Sequence, residues 1–405
     1  MLVEILLLVV YFIALYFAVF YFFIFFDNRK EEKSKLRQLP PITVIIPAYN
    51  EEECIAETIN SLLKLDYSKD KVELIVVNDG STDNTAAVVK KFRSVKLINQ
   101  ENQGKGAALN NGIRHSKGEL IACLDADSVV GRDALKNMVV YFADENVAAV
   151  TPLLQVYKPK TFLQKIQKYE YILSLAIKRL ISYINAIYVT PGPFSIYRKS
   201  VVNRIGGFDE HSLVEDQELA FRLQKNYYVI KQTDKGSSYS YAPKNLRDLY
   251  GQRNRWNKGT ILNFIKYRKI FLNKDYGDFG LFQMPKILFD FMAVLFFVFT
   301  FSYFFIRPLV KIFYNFVITG FDFTAYFKYA SIHTSFGYSS LLFFIAFLIA
   351  SAFFMLVYGM TFVGERFNKS MILPTIGLFF VYPFILSFIY LVVCFELIIG
   401  KIQRW

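Results

Sequence analysis

Long apolar runs lie at both ends of this 405-residue chain, whereas its middle alternates short apolar and polar stretches. Residues 1–26 carry one charged side chain, Glu4, and exceed the ~20 apolar residues that a helix needs to cross a bilayer. They lack a basic start and a small-residue cleavage site, so we predict an uncleaved anchor rather than a signal peptide. Three further runs, at residues 287–306, 334–363 and 371–395, predict a C-terminal transmembrane region.

The charges beside these runs predict their orientation. Residues 27–37 (DNRKEEKSKLR) hold five Lys and Arg, and short loops rich in these residues stay in the cytoplasm. We therefore expect a multi-pass protein of the cell membrane whose N-terminus is outside and whose middle is cytoplasmic. Residues 309–332 are aromatic with sparse charges, which favours an interfacial position. One plus three crossings leave KIQRW (401–405) outside, against the charge rule, and a fourth C-terminal crossing would restore agreement.

The middle of the chain predicts an α/β domain. Near-continuous Val, Ile and Leu runs indicate buried strands, and stretches with helical spacing of apolar residues separate them. The predicted strands are residues 42–47, 72–79, 95–99, 120–127 and 147–152. This alternation is typical of a Rossmann-like, mostly parallel sheet with helices on both faces.

The same patterns divide the chain into five parts. These are a transmembrane anchor (1–27), a basic linker (28–40), the α/β domain (41–245), an interfacial segment that contains QRNRW (246–284), and a transmembrane region of three to four helices (285–405). Within the α/β domain, residues 159–189 are amphipathic and basic without a charge-free run. We predict that they form helices on the membrane surface.

Polar motifs follow three of the predicted strands, at the sheet edge where ligands of such sheets bind. NDGSTDN (78–84) is also ordinary turn chemistry before a helix N-cap, although Asp79 could accept hydrogen bonds from a base or a sugar. In DADS (125–128), Asp125 and Asp127 leave a buried strand together. Such a pair is costly without a cation, and Mg²⁺ usually takes one or two carboxylates plus substrate phosphates. The alternative is a solvated loop.

Three later stretches add candidate chemistry. The glycines of residues 102–112 match neither a P-loop nor a dinucleotide fingerprint, but they could let the backbone and Lys105 approach a phosphate. Glu215 and Asp216 stand together before a helix, where they could act in catalysis or simply complement the helix dipole. In YGQRNRWNKG (250–259), three cations surround Trp256, and they could serve lipid headgroups or a ligand.

Composition excludes several classes of site. Hydrophobic residues make up 54% of the chain, and the formal charge is +13, which fits a basic surface facing lipid or an anionic substrate. The three cysteines and three histidines are scattered, so neither a disulfide framework nor a zinc site is predicted. The cations cluster beside apolar spans rather than on a separate basic module, so we expect no nucleic-acid partner.

Taken in order, the motifs resemble those of glycosyltransferase family 2, the membrane-bound GT-A enzymes that include cellulose, chitin, hyaluronan and poly-N-acetylglucosamine synthases. The matching stretches are PAYNEE (47–52), NDGSTDNT (78–85), GKGAALN (104–110), DADS (125–128), QKYEY (167–171), TPGPFSIYRK (190–199), VEDQELAFRL (214–223) and QRNRW (252–256). Two features depart from the family: Val214 replaces a common Thr, and the gating-loop motif of cellulose synthases is not recognisable.

The resemblance implies roles for named residues. Asp216 would be the general base, with Glu215 beside it, and Asp127 with Asp125 would hold Mg²⁺ or Mn²⁺. The residues implied in donor binding are Pro47, Ala48, Tyr49, Asn50, Glu51, Asp79, Lys105, Asp125, Asp127, Gln252, Arg253 and Arg255. Those implied in acceptor binding are Thr190, Pro191, Gly192, Pro193, Phe194 and Trp256.

The resemblance also implies an activity. We expect an inverting, metal-dependent enzyme that moves sugar from a UDP-sugar to the growing end of a β-linked polysaccharide and passes the polymer through its own membrane helices. The alternative is a non-processive transferase that adds one sugar to a membrane lipid, either ceramide-like or polyprenyl phosphate. A sensor that binds nucleotide-sugar without turnover has no support, because the acidic motifs and both arginines are present.

Overall fold

The computed structural model describes residues 2–27, 38–318, 320 and 337–401. Most of the predicted basic linker and of the aromatic segment at residues 309–332 lies outside the described residues, as does the end of the chain after Lys401. The described part forms one α/β domain packed on long apolar helices.

The α/β domain is built on one eight-stranded sheet with the order β3-β2-β1-β4-β7-β6-β8-β5. The strands are β1 (Ile42–Ala48), β2 (Val72–Asp79), β3 (Val95–Gln100), β4 (Leu120–Cys123), β5 (Ser128–Val130), β6 (Val147–Val156), β7 (Ser195–Arg198) and β8 (Val229–Ser240). Strands β1 to β4 are mutually parallel where they pair, and β6 is parallel to β8. Strands β5 and β7 run antiparallel to their neighbours.

The α/β prediction is confirmed, but the sheet is more mixed than the sequence suggested. All five predicted strands are present, and β4 ends at Cys123, so the residues of DADS up to Asp127 lie in the turn that follows. Strands β5, β7 and β8 were not predicted, because they are short or carry polar residues where a buried strand would be apolar. Strand β8, VIKQTDKGSSYS, is the clearest case.

Helices cover both faces of the sheet, and alternate residues of β1 show this directly. Val44 and Ile46 pack with α2 and α5, whereas Ile45 packs in a second cluster with α4 and α6. Both sets are fully buried, as expected for a strand covered on both faces. The helices are α1 (Leu2–Asp27), α2 (Ile55–Leu63), α3 (Thr85–Lys90), α4 (Lys105–His115), α5 (Ala134–Val139), α6 (Phe162–Tyr183), α7 (Lys199–Arg204), α8 (Glu215–Lys225), α9 (Leu246–Lys266), α10 (Met284–Phe301), α11 (Arg307–Ile318), α12 (Gly337–Val363), α13 (Ile372–Ile376) and α14 (Tyr382–Ile398).

Within the described residues, four helices are long and apolar enough to cross a membrane. They are Ile5–Asp27, Phe279–Phe301, Ala346–Val363 and Lys369–Ile398. The sequence patterns anticipated a similar set, one near the N-terminus and three near the C-terminus.

Helix α6 joins the sheet to the apolar helices. It begins with a capping box in which the Thr161 hydroxyl accepts from the Gln164 backbone N–H, and it ends at Tyr183 rather than at residue 189. Its Ala176 and Leu180 are fully buried in the cluster that also contains residues of α1 and α12. A prediction of helices on the membrane surface captured its amphipathic pattern, but in the structure much of α6 is covered by protein.

The C-terminal end of α14 lies against the α/β domain. Glu396 contacts Lys258 of α9 with 2.7 Å between Oε2 and Nζ, and Lys258 Nζ donates to the Lys401 carbonyl over 3.1 Å. The start of the same apolar segment also touches the domain, because Gly377 packs directly on Ile166 of α6. Lys401 therefore lies against the α/β domain, and the side of the membrane on which the C-terminus lies stays a prediction.

Candidate active site

A cavity of about 450 Å³ opens between the sheet edge, α6 and α9. Its wall contains most of the predicted site residues: Lys105, Asp125, Asp127, Pro191, Gly192, Pro193, Glu215, Asp216, Gln252, Arg253, Arg255 and Trp256. The remaining predicted residues lie outside this wall: Pro47, Ala48, Tyr49, Asn50, Glu51, Asp79, Thr190 and Phe194. The structure thus brings together motifs as far apart in sequence as GKGAALN (104–110) and QRNRW (252–256).

Lys105, the first residue of α4, links two acidic motifs. Its Nζ atom lies 2.7 Å from Asp125 Oδ1 and 2.7 Å from Glu215 Oε1. Burial disfavours the ammonium form, yet these two carboxylates raise the pKa of Lys105 above its usual range. The Lys105 ammonium is therefore a fixed positive charge between Asp125, in the turn after β4, and Glu215, at the start of α8.

Gly192 lies directly on this ion pair. A Cβ atom at this position would come within 2.7 Å of Asp125 Oδ1 and 2.8 Å of Lys105 Nζ. Only glycine lets the TPGPF turn approach the charged groups so closely.

Asp216 lies in the first turn of α8 and points into the cavity. The backbone N–H groups of Gly192 and Gln217 donate to its two carboxylate oxygens over 3.1 and 2.7 Å. Burial and the neighbouring Glu215 raise the pKa of Asp216 to about 6, against the opposing effects of Lys105 and Arg255. A carboxylate with this pKa is ionised at neutral pH and can still accept a proton, which suits a general base.

Thr190 was expected to line the acceptor site, but it supports Asp216 instead. Its side chain is buried, and its hydroxyl donates to the Asp216 carbonyl over 2.7 Å. Phe194 differs from expectation as well. Its ring is fully buried in the core cluster of β1 and α2, so it cannot contact a ligand in the cavity.

Asp127, in the cavity wall, and Glu51, just outside it, form an acidic patch. Burial and Asp125 raise the pKa of Asp127 to about 6. Burial, Asp127 and Asp125 raise the pKa of Glu51 to about 7. Uncompensated negative charge of this kind suits a cation. In the described part of the chain, no three or more His, Cys, Asp or Glu residues are arranged to enclose a metal ion, so the protein would supply few ligands.

Asp79 and the PAYNEE loop hold the sheet edge together. Asp79 is buried and accepts from Gln100 Nε2 and from the backbone N–H groups of Gln103 and Gly104, over 2.8 to 2.9 Å. It thereby fixes the loop that leads into Lys105. Asn50 Oδ1 accepts from the Thr82 backbone N–H over 2.8 Å, which joins the loops after β1 and β2. Pro47 and Ala48 are buried in β1, whereas Tyr49 is half exposed. Contact of these residues with a donor stays a prediction.

Helix α9 presents the QRNRW residues to the cavity. The Arg253 guanidinium donates to Glu170 Oε2 over 2.7 Å and to the Tyr382 hydroxyl over 3.3 Å, and it lies 4.6 Å from the Trp256 ring centroid. Arg253 was expected to face a diphosphate, but a carboxylate of α6 already holds it. Arg255 is on the same wall and lowers the pKa of Asp216, so it is the better placed of the two for a reacting group.

Residues 43–206, from β1 to α7, match the family described as glycosyl transferase family 2. The chain carries a family 2 glycosyltransferase domain. Asp216 and α9 follow the matched range, and the structure packs them against it.

Curated relatives of this family 2 domain include poly-beta-1,6-N-acetyl-D-glucosamine synthases of Staphylococcus aureus (strain COL) and Staphylococcus epidermidis. Both are 34% identical, over 236 and 233 residues. The matches span 57% and 56% of this chain and the same shares of the relatives, so little more than half of either protein is compared.

A solved structure with a similar fold is a mannosyltransferase from Pyrobaculum calidifontis, in complex with GDP-Man and Mn2+. It is 19% identical, the match covers 99% of both chains, and the TM-score is 0.66. This likeness shows a shared fold of the family 2 domain and the apolar helices.

Opposite the cavity, α9 carries residues that the sequence did not mark as functional. Tyr250, Asn254 and Lys258 are spaced by four and share one helix face. They meet Glu396 of α14: Asn254 Nδ2 and Lys258 Nζ each lie 2.7 Å from Oε2, and the Tyr250 hydroxyl lies 3.3 Å from Oε1. The signal in sequence was Glu396 itself, a single carboxylate at the end of a long uncharged run.

Proposed function

We propose that the protein is a membrane-integrated, inverting glycosyltransferase that transfers sugar from a UDP-sugar to the growing end of a β-linked polysaccharide and assists its translocation. One observation carries the proposal: Asp216 lies between the Lys105–Asp125 pair and the QRNRW helix, in a cavity bordered by helix α6. The similarity to poly-beta-1,6-N-acetyl-D-glucosamine synthases supports a β-linked polymer as the product.

Asp216 performs the proton transfer in this proposal. Its carboxylate accepts the proton of an acceptor hydroxyl as that oxygen attacks the anomeric carbon of the donor sugar. A single displacement inverts the configuration at this carbon. Gly192 N–H and Gln217 N–H hold the carboxylate in one orientation, so the base needs little reorganisation during the reaction.

The leaving group of the reaction is UDP, whose developing negative charge must be stabilised. Lys105 and Arg255 place fixed positive charge on the cavity wall for this purpose. Trp256 lies beside them, and its indole ring can stack on an acceptor sugar.

Asp127 and Asp125 fit a divalent ion. Asp127 is the first choice, because Lys105 pairs directly with Asp125, whereas burial and Asp125 raise the pKa of Asp127 to about 6. Mg²⁺ or Mn²⁺ at these oxygens would neutralise the diphosphate of the donor, and the remaining ligands would come from the phosphates and water. The related mannosyltransferase was solved with Mn2+, which agrees with this assignment.

The arrangement of helices supports a cytoplasmic active site next to the membrane. Helix α6 contributes one cavity wall and packs on α12, and α9 contributes another and packs on α14. A product that leaves the acceptor end of the cavity would therefore meet the apolar helices. In this location the donor comes from the cytoplasm and the polymer leaves through the membrane.

Product sizing tests the proposed function. Purified protein is incubated with Mg²⁺ or Mn²⁺ and with UDP-N-acetylglucosamine, UDP-glucose or UDP-glucuronate in separate reactions. We expect one donor to give a polymer whose length increases with time, and we expect a β-glycosidase to degrade it. A product that stops at one sugar on a lipid would overturn the polysaccharide function in favour of a lipid glycosyltransferase.

The raised pKa of Asp216 predicts a pH dependence. A general base must be ionised to accept a proton. The rate of transfer should therefore fall as the pH drops through about 6, where Asp216 becomes protonated, and should reach its maximum at higher pH. Glu215 raises this pKa, so Glu215→Gln should move the acid limb of the kcat profile to lower pH. Glu145→Gln serves as the control, because it removes one charge from an exposed residue that does not line the cavity. An unmoved limb in Glu215→Gln would assign the titration to another group.

A further inference from the structure

Lys178 is a cation in the cavity wall that no motif marks. It lies on α6 with Ser174 one turn earlier, and both side chains line the cavity. Ser174 and Lys178 are four residues apart, so they share one helix face. Apolar side chains of the same helix, Leu175, Ile177 and Ile181, line the cavity around them.

Lys178 differs from Lys105 and Arg253 in forming no direct ion pair with a carboxylate among the described residues. Lys105 pairs with two carboxylates, Arg253 pairs with Glu170, and Arg255 acts on Asp216. Among the residues that the structure describes, none forms a hydrogen bond or ion pair with Lys178. Burial lowers the pKa of Lys178 to about 8, against the opposing effect of the nearby Asp216 carboxylate.

A half-buried ammonium without a direct ion-pair partner is unfavourable, so a ligand that supplies negative charge would bind favourably beside it. The donor diphosphate is not that ligand in the proposed arrangement, because Lys105, Arg255 and the acidic patch occupy the donor half. Lys178 instead acts at Asp216, where the acceptor hydroxyl would be deprotonated.

We propose that Lys178 and Ser174 form a subsite for an oxyanion carried by the acceptor, either a phosphate or a carboxylate, at or close to the oxygen that receives the sugar. This inference rests on the proposed sugar transfer and names the acceptor as acidic. The ammonium group and the hydroxyl supply two donors for two oxygen atoms. A lipid-linked phosphate and an acidic sugar both present this chemistry.

A binding experiment tests the subsite without requiring turnover. Full-length protein carrying Trp405→Phe retains Trp256, in the cavity wall, as its only tryptophan, so its fluorescence reports ligands there. The probes are farnesyl phosphate with farnesol as its neutral partner, and a β-linked glucuronate disaccharide with its glucose counterpart. Each is titrated with UDP present, into wild type, Lys178→Met, Lys178→Arg and Lys165→Met. Lys165 is an exposed lysine of the same helix and controls for the loss of charge.

We expect one acidic probe to bind the wild type about 10- to 100-fold more tightly than its neutral partner, the range for hydrogen bonds to charged groups. Lys178→Met should abolish this preference, whereas Lys178→Arg and Lys165→Met should keep it. A preference for farnesyl phosphate would assign the oxyanion to a lipid, and one for glucuronate would assign it to an acidic sugar.

Three results would overturn the subsite. They are equal binding of both pairs by the wild type, an intact preference in Lys178→Met, or a well-folded Lys178→Met whose main defect is in UDP affinity. Thermal melting of each variant separates this last case from misfolding. Because binding is measured apart from transfer, a failure to make polymer would count against the proposed function and leave the subsite standing.

Discussion

Asp216→Asn is expected to lower the rate of sugar transfer by about 10²- to 10⁴-fold, the usual contribution of a general base. An amide has nearly the same size as the carboxylate but cannot accept the proton of the acceptor hydroxyl. Its oxygen can still accept from Gly192 or Gln217, so α8 and the TPGPF turn should remain in place. Initial rates with a radiolabelled UDP-sugar provide the measurement.

The control for this variant is UDP binding, which should change little because Asp216 does not face the diphosphate in the proposed arrangement. Glu145→Gln matches the loss of one charge at an exposed site and should leave the rate unchanged. Near-normal transfer by Asp216→Asn would mean that another group is the base, and Glu215 would be tested next.

Glu396→Ala is expected to lower the free energy of unfolding by about 3–5 kcal/mol, since removing one partner of a buried ion pair leaves the other charge unpaired. The Lys258 side chain is 1% exposed and that of Glu396 is 10% exposed, so water cannot replace the lost carboxylate. Denaturation of the protein in mild detergent measures the change. Sugar transfer should fall as well, because α9 carries Arg255 and Trp256 on its other face.

Glu365→Ala is the matched control for this variant. It removes the same kind of side chain from the C-terminal third, but its pair with Lys168 is about one-quarter exposed and should cost about 1 kcal/mol or less. The double variant Lys258→Met, Glu396→Leu should be more stable than Glu396→Ala, because it removes both charges. Equal losses of unfolding free energy in Glu396→Ala and Glu365→Ala would show that the buried pair contributes no more to stability than the more exposed one.

Sequence patterns predicted the parallel half of the sheet because its strands are buried on both faces and contain little but Val, Ile and Leu. The acidic motifs at the ends of these strands were predictable for the same reason, since parallel strands deliver their carboxyl ends to one edge. Strand β8 was not predicted because its residues are polar at many positions. Strand β7 was not predicted because it is short and follows a Pro-Gly-Pro turn.

The partners of charged residues were harder to predict than their presence. Arg253 and Lys258 both belong to the basic stretch YGQRNRWNKG, but the tertiary structure pairs Arg253 with Glu170, 83 residues away, and Lys258 with Glu396, 138 residues away. Lys178 could not be predicted as a site residue, because an amphipathic basic helix contains several lysines and only the tertiary structure shows which one lines the cavity.

The contact at Gly192 has a consequence for engineering this protein. The TPGPF turn, which would line the acceptor, contacts the Lys105–Asp125 pair through Gly192, which has no side chain. Only the backbone of this turn therefore separates the proposed donor and acceptor sites. A library that diversifies residues 191–193 to recruit new acceptors would also shift Lys105 and Asp125, the charges that would bind the donor in the proposed arrangement. Donor and acceptor preferences should therefore evolve together, and selecting for one alone would tend to erode the other.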